Sequence, residues 1–227
     1  MNLAKSYDFF KPEDLGTDRV HIIGCGATGS TLAENLARFG ITNITLYDFD
    51  TVEGKNLANQ MFLHRHIHMP KVDAVADIIS EINPEAVVVQ PGQCLRLEPE
   101  GWNGQRLAGY VFLCVDNIDL RWEIAEKNRL NPMVKAMFDF RLGLTDAQHY
   151  AARWNNRKEV DNFIATMSFT HAEVKNVRSA CHEVLSVAPT IRVIVALGVA
   201  NFINFVKTKT LKKMVLIDAF AHTVDAF

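Results

Sequence analysis

Apolar residues along the chain recur at two spacings, one typical of strands and one typical of helices. The run RVHIIG, at residues 19–24, is a short apolar segment that ends in glycine and predicts a strand. Leu32, Leu36 and Phe39 then recur at helical spacing, and ITNITLYDFD predicts a second strand. Strand, helix and strand in this order predict a βαβ unit with parallel strands and a right-handed crossover.

The alternation of strand-like and helix-like segments continues to about residue 140. KVDAVADIISEI and NIDLRWEIAEKNRL have helical periodicity, whereas AVVVQ, YVFLCV and VKAMFDF predict buried strands. From Arg141 to His182 the pattern weakens and predicts no definite element. We therefore expect a single α/β domain over residues 1–227, with an open, doubly wound, mostly parallel sheet and a C-terminal helical or antiparallel extension. Such sheets bind ligands at the carboxyl ends of their strands.

The segment from Leu185 to Val206 is apolar enough to raise the question of a membrane span. A proline, an arginine and two asparagines interrupt it, and each of them is costly in hydrocarbon without a partner. We therefore predict a buried helix here, and we interpret the basic run KTKTLKKM that follows as a solvated helix end.

Composition narrows the class of protein. Of 227 residues, 48% are hydrophobic and 22% are charged, which is the balance of an ordinary globular chain. The formal charge of −2 provides no field for collecting nucleic acid, and the N-terminal residues lack the order of a signal peptide. The scattered cysteines include no C-x-x-C pair, which predicts reduced thiols and no zinc. We expect a cytoplasmic protein that binds neither nucleic acid nor a membrane.

A glycine-rich turn lies between the first predicted strand and helix. GCGATG places Gly24, Gly26 and Gly29 in a G-x-G-x-x-G pattern, in which the glycines permit a tight turn, close approach of backbone to a phosphate, and close helix packing. The helix N-terminus that follows favours an anion. Asp48 lies 24 residues past Gly24, which suits an acid that accepts from ribose hydroxyls. Both NAD and ATP carry such a ribose, so this spacing predicts a nucleotide without choosing between them.

In the segment DFDTVEGKNLANQ, at residues 48–60, the first acid is followed by a second acid and by three amide side chains, which a dehydrogenase does not require. It resembles the ThiF/MoeB/HesA superfamily, adenylating enzymes in which a glycine-rich loop precedes D-x-D-x-V and then N-L-x-R-Q. The resemblance continues through INP and CVDNIDLR, and it spans most of residues 20–207. It implies a Rossmann-like fold in which Asp50 and Asn59 belong to the nucleotide site.

This resemblance implies a reaction and a set of roles. The C-terminal carboxylate of a small ubiquitin-like or sulfur-carrier protein would attack the α-phosphate of ATP, giving an acyl-adenylate and pyrophosphate, with Mg²⁺ as cofactor and a homodimer as the assembly. Asp48 would contact the ribose and Lys71 the phosphates, while Asp116 would bind magnesium. Asn56 and Gln60 would form a polar network that faces the phosphates. A carboxylate suits hard Mg²⁺, and a lysine serves as a point charge for phosphate.

The sequence departs from the family pattern at Asn59, where arginine is usual. The substitution removes a bidentate, always-charged phosphate donor, and Arg65 is near enough in sequence to replace it. The arginine that many relatives present from a leading helix is also missing, leaving Lys5 or Lys11 as candidates. Two alternatives to an active enzyme stay open: a nucleotide-binding scaffold that has lost catalysis, and an NAD-dependent oxidoreductase.

Two further side-chain patterns have candidate chemistry. SACHEVLSVAP resembles the family segment that carries a cysteine, so Cys181 is a candidate for thioester formation if neighbours such as His182 lower its thiol pKa. The alternative is a small buried residue, which is also our interpretation of Cys25 and Cys114. HRHIH would place three histidines on one side of an extended segment as possible transition-metal ligands, although a polar loop near the nucleotide is the simpler interpretation.

Overall fold

Seven strands form one mixed sheet in the computed structural model, which describes residues 1–86, 102, 107–170, 173 and 185–227. The strands are β1 Val20–Ile23, β2 Ile44–Tyr47, β3 Gly109–Leu113, β4 Val134–Leu142, β5 Asp146–Arg153, β6 Met214–Asp218 and β7 Thr223–Ala226. Their order across the sheet is β2-β1-β3-β4-β5-β6-β7.

The sheet changes direction at β4. On one side, β1 pairs in parallel with both β2 and β3, and β3 pairs in parallel with β4. On the other side, β4, β5, β6 and β7 pair in antiparallel fashion. The predicted α/β class is therefore confirmed, including the parallel βαβ start and the antiparallel C-terminal part.

Helices cover both faces of the sheet. One buried cluster joins the sheet to α1, α2 and α5, and a second joins its other face to α3 and α4. This two-sided cover is what a doubly wound sheet requires. The helices are α1 Ala27–Arg38, α2 Lys71–Ile82, α3 Ile118–Lys127, α4 Arg157–Ala165 and α5 Ala188–Thr208, with short 3₁₀ helices at Pro12–Leu15, Gly54–Ala58 and His64–His66.

The long helix α5 packs as a core helix. Of the described helices, it alone is long and apolar enough to cross a membrane, but 61% of its most apolar stretch is buried inside the protein. The Phe202 ring lies 5.0 Å from the Tyr110 ring and 5.3 Å from the Phe112 ring, both on β3. The packing agrees with the predicted buried helix, which begins at Ala188 and ends at Thr208.

The weakly patterned region after Arg141 contains regular structure that the sequence did not predict. Strand β5 and helix α4 both lie there. Polar residues obscure the strand: His149 is buried and contacts the Asp139 carbonyl oxygen at 3.2 Å and the Asn201 amide nitrogen at 3.1 Å. Tertiary hydrogen bonds thus allow a polar strand in the core. The predicted strand AVVVQ falls mostly on residues 87–90, outside the described residues.

Gly198→Ala is expected to destabilise the fold. In an open helix this change would stabilise by about 1 kcal/mol through helix propensity. At Gly198, however, an added Cβ would lie 2.3 Å from two ring atoms of the buried Phe140, so we expect the free energy of unfolding to fall by about 1–3 kcal/mol. Urea unfolding measures the change, with Gly54→Ala as the control because no described atom lies within 4 Å of its Cβ position. A gain in stability for Gly198→Ala would contradict the packing described here.

Candidate functional site

The candidate site lies where three adjacent strands end. Ile23, at the end of β1, is in register with Tyr47 at the end of β2 and with Leu113 at the end of β3. Because these strands are parallel, their carboxyl ends share one edge of the sheet, where such folds bind ligands. The predicted residue Asp48 follows β2 directly, and Asp116 lies three residues past the end of β3.

The glycine loop is shaped by contacts that exclude side chains at two positions. Gly24 has φ of +97°, and a Cβ there would lie 2.7 Å from the Cys114 carbonyl carbon. A Cβ at Gly29 would lie 1.8 Å from the Gly24 carbonyl oxygen. By contrast, no described atom lies within 4 Å of the Cβ position of Gly26. The outer two glycines therefore serve packing, whereas the middle one faces space in which an anion could approach the backbone.

Asp48 is part of the structure of this loop. Its Oδ2 accepts from the Cys25 backbone N–H at 2.6 Å, and its Oδ1 accepts from the Asp50 N–H at 2.8 Å. Burial raises the pKa of Asp48, although Lys71 and the two backbone donors oppose the shift. The carboxylate thus ties the end of β2 to the glycine loop. Its contact with a ribose stays a prediction.

Lys71 and Asp50 form an ion pair beside Asp48. The Lys71 Nζ lies 2.6 Å from Asp50 Oδ2, and the Lys71 backbone N–H donates to the Asp50 carbonyl at 2.9 Å. Lys71 is the first residue of α2 and is buried, while the Asp50 side chain is 48% exposed. The structure therefore brings Asp48, Asp50 and Lys71 together, as a site for a charged ligand would require.

Residues 54–60, which we call the polar loop, begin with a 3₁₀ helix and carry the predicted amides. Asn56 is buried and its Oδ1 accepts from the Glu53 backbone N–H at 2.8 Å, so this amide shapes the loop. The Gln60 Oε1 is also buried, but it has no hydrogen-bond partner in the described part of the chain. A buried acceptor without a donor is costly, and such a group marks a place where a ligand or water fits.

Asn59 and Arg65, the departure and its candidate replacement, both have other partners. The Asn59 amide donates to Ser186 Oγ at 2.7 Å and to the Ser186 carbonyl oxygen at 3.3 Å, which ties the polar loop to the start of α5. Arg65 pairs with Asp77 on α2 at 3.1 Å. Asp77 also accepts from His66 Nε2 at 2.8 Å, and the hydrogen bonds from His66 and Arg65 lower the pKa of Asp77. The Arg65 side chain is therefore held against α2 by its ion pair with Asp77.

The segment HRHIH is not extended, so the prediction that its three histidines lie on one side is wrong. His64–His66 forms a 3₁₀ helix, and His66 is buried with its Nδ1 accepting from the Leu63 N–H at 3.0 Å. A 3₁₀ turn repeats every three residues and does not align alternate side chains. Over the described residues, no group of three or more His, Cys, Asp or Glu side chains could hold a metal ion.

Asp116 lies exposed in the loop after β3, and its carboxylate has no partner among the residues that the structure describes. Asp116 does not cap the helix that follows, because Asn117 caps α3 by accepting from the Asp119 and Leu120 N–H groups at 2.9 and 3.2 Å. An exposed, unpaired carboxylate at this edge could serve as one oxygen ligand for Mg²⁺.

A buried charge cluster that the sequence reasoning missed supports this loop. Arg121 donates to the Val115 carbonyl and to the Asp139 carboxylate. Asp139 is fully buried and also accepts from Arg141 Nε at 2.7 Å. Arg121 therefore holds the backbone immediately before Asp116. The sequence signals were Arg121, which ends the family-like motif CVDNIDLR, and Asp139 in the mostly apolar run VKAMFDF, but no pattern showed that these two side chains meet.

The family model described as "ThiF family" matches residues 7–227. The chain belongs to the ThiF family. It is 34% identical over 121 residues to the molybdopterin-synthase adenylyltransferase of Escherichia coli, covering 52% of this chain and 48% of that protein. Over 127 residues it is 39% identical to the enzyme of the same name from Haemophilus influenzae, covering 52% of this chain and 49% of that protein. The chain thus spans about half the length of these curated relatives.

Solved structures confirm the Rossmann-like fold. The E. coli MccB structure with MccA-N7isoASN matches with a TM-score of 0.73 at 17% identity, covering 95% of this chain and 66% of that one. MccB with ATP matches with a TM-score of 0.69 at 19% identity, covering 95% and 65%. At this level of identity the likeness shows the fold alone.

The candidate thioester cysteine lies outside the described residues. Cys181 and His182 both fall within residues 174–184, so a thioester role stays a prediction. Cys25 is a buried residue of the glycine loop, and burial raises the pKa of the Cys114 thiol. The burial of Cys25 agrees with a packing role, and so does the raised pKa of Cys114, which disfavours the nucleophilic thiolate.

Asp48→Asn is expected to change the pH dependence of folding. Because burial raises the pKa of Asp48 above its ordinary 3.8, the folded protein holds that proton more tightly than the unfolded chain does. Native Asp48 therefore contributes most stability at low pH and loses it as pH rises through the raised pKa. The free energy of unfolding of the variant, relative to the native protein, should rise with pH by at most about 1.4 kcal/mol per pH unit.

Urea unfolding of both proteins at about pH 4, 5.5 and 7 measures this difference directly, since contributions from the other titrating groups cancel. If the free energy of unfolding of the variant minus that of the native protein is constant or falls with pH, folding does not raise the pKa of Asp48.

Proposed function

We propose that this ThiF-family chain binds Mg·ATP and adenylates the C-terminal carboxylate of a small ubiquitin-like or sulfur-carrier protein. The observation that carries the proposal is one sheet edge that holds an open glycine loop, the group of Asp48, Asp50 and Lys71, and the exposed Asp116 carboxylate, which has no partner among the described residues. A dinucleotide site needs the loop and one acid, whereas a triphosphate with its metal also needs the lysine and the further carboxylate.

The reaction makes specific demands on these residues. A carboxylate oxygen of the carrier protein forms a bond to the α-phosphorus of ATP, and the bond from that phosphorus to pyrophosphate breaks. Asp48 orients the ribose, and the backbone at Gly26 approaches the phosphates. Lys71, which forms an ion pair with Asp50, places a positive charge beside the phosphates. Asp116 would hold Mg²⁺, which offsets the negative charge of the phosphate oxygens when it is bound.

The wider assembly is also part of the proposal. The named relatives support an ubiquitin-like or sulfur-carrier substrate, because they include molybdopterin-synthase adenylyltransferases and, from Arabidopsis thaliana, ubiquitin-like modifier-activating enzyme 5. A homodimer in the cytoplasm, and transfer of the acyl group to Cys181, rest on the family resemblance.

A second candidate function is a nucleotide-binding scaffold without catalysis. Its support is Asn59, which donates to Ser186 and presents no positive charge to a phosphate. Exchange of labelled pyrophosphate into ATP, measured with small ubiquitin-like proteins as acyl donors, separates the two functions. Exchange establishes adenylation, whereas ATP binding without exchange across such a panel favours the scaffold.

Asp116→Ala is expected to remove the magnesium dependence of nucleotide binding. At 100 times its dissociation constant, Mg·ATP should stabilise the native protein by about 2.7 kcal/mol, which is readily seen as a thermal shift. NAD at the same concentration should give no shift. Asp225→Ala, an exposed acid on the distant edge strand β7, is the matched control and should behave as the native protein does. Stabilisation by NAD instead of Mg·ATP would contradict the proposed function.

Gly26→Ala is expected to separate folding from binding. Because no described atom lies near the added Cβ, the free energy of unfolding should stay within about 0.5 kcal/mol of native. The methyl group would occupy the space that a phosphate needs, so the affinity for Mg·ATP in calorimetric titration should fall at least about tenfold. Unchanged affinity would show that no phosphate approaches this backbone.

A further inference from the structure

The three cations described on or next to the polar loop are already paired. Lys71 is paired with Asp50, Arg65 with Asp77, and Lys55, which belongs to the loop itself, with Glu53. Asn59 stands where the family pattern has arginine, and its amide is bound to Ser186. A triphosphate carries several negative charges, so these partners leave the loop short of a cation that is free to bind a phosphate.

Arg192 reaches the polar loop from another part of the chain. It lies in the second turn of α5, and its Nη2 lies 3.9 Å from the sulfur of Met61, the residue that follows the loop. Its side chain is exposed, and it forms no ion pair with any residue in the described ranges. A thioether is a weak hydrogen-bond acceptor, so the guanidinium can leave this contact for an anion at little cost.

Met61 connects Arg192 to the glycine loop. The Met61 backbone N–H donates to Ser30 Oγ at 3.2 Å, and the Ser30 N–H donates to the Gly26 carbonyl at 2.9 Å. Gln60, whose buried Oε1 has no hydrogen-bond partner within the described ranges, directly precedes Met61. Arg192 therefore lies beside the residue that packs on the first turn of α1, where backbone N–H groups favour anions.

The Asn59 contact explains how Arg192 is held there. Ser186 lies two residues before the first residue of α5, so the two hydrogen bonds from Asn59 fasten the start of that helix to the polar loop. Asn59, which stands at the position of the family arginine, thus holds Arg192 near the same loop. Arginine suits this role because its planar guanidinium binds phosphate oxygens in bidentate fashion.

We propose that Arg192 supplies the phosphate-binding guanidinium that position 59 lacks, and that Asn59 is the positioning residue for it. This proposal rests on the proposed function, because it assigns a further ligand to the same Mg·ATP site. It places the polar triphosphate site between two segments more than a hundred residues apart, joined by hydrogen bonds from Asn59.

Calorimetric titration of the native protein, three variants and a control tests the proposal, with Mg·ATP and adenosine as the two probes. Arg192→Ala should weaken Mg·ATP binding by between about tenfold and a hundredfold, the range for hydrogen bonds to a charged group, and should leave adenosine affinity within about twofold. Arg192→Lys should fall between native and alanine, because it keeps the charge but not the bidentate geometry. Asn59→Arg combined with Arg192→Ala should recover part of the lost ATP affinity.

Lys207→Ala is the matched control, because it removes one positive charge from the opposite end of α5. It should leave the affinities for both ligands unchanged. A thermal melt of each variant confirms folding, which Arg192→Ala should retain since its side chain is exposed.

The outcomes distinguish this inference from the function on which it rests. Native Mg·ATP affinity in Arg192→Ala, or equal weakening of adenosine, would overturn the role of Arg192 and leave the nucleotide site in place. Failure of the native protein to bind Mg·ATP would overturn both proposals.

Discussion

The close approach of Gly29 to the Gly24 carbonyl oxygen is the contact on which the candidate site depends. An added Cβ at Gly29 would lie 1.8 Å from that oxygen, and one at Gly24 would lie 2.7 Å from the Cys114 backbone. The first turn of α1, the end of β1 and the end of β3 can therefore meet only without side chains at these positions. The resulting packing leaves the Gly26 backbone facing open space and brings Asp48 within reach of the Cys25 N–H.

The side chains around these glycines carry an excess of negative charge, which suits a ligand that brings a bound metal ion. Asp48 and Asp50 lie beside Lys71, and Asp116 follows β3 at the same edge of the sheet, so acids outnumber the lysine there. The raised pKa of Asp48 shows that burial makes its charge unfavourable in the absence of a ligand. Such groups gather at sites where function, and not stability, sets the residue. The acidic edge suits Mg²⁺, and the phosphates then need a guanidinium from elsewhere in the chain.

The sequence predicted the parts of the fold that local patterns encode. The βαβ start, the glycine loop and α5 follow from apolar spacing and glycine position, and their packing agrees with that reading. Strand β5 was missed because its polar residues find partners only in the folded protein, as His149 does with Asn201. The site was likewise predicted in its glycines, acids and amides, although their contacts with a nucleotide stay predictions.

What the sequence could not provide were contacts across long separations. Asn59 and Ser186 are 127 residues apart, and Arg192 and Met61 are 131 residues apart. Local sequence patterns do not predict such pairs. In the sequence, Asn59 therefore indicates only the loss of an arginine. The buried cluster of Arg121, Asp139 and Arg141 was missed for a different reason, because two of its members lie in a strand whose sequence is mostly apolar.

The central claim is that the sheet edge after β1, β2 and β3 is an adenylation site for Mg·ATP. A crystal structure with magnesium and a non-hydrolysable ATP analogue tests it most directly. The account predicts the ribose at Asp48, the phosphates between Gly26 and the polar loop, and the metal at Asp116. A nucleotide bound elsewhere, or a phosphate chain with neither the glycine loop nor Asp116 in contact, would contradict it.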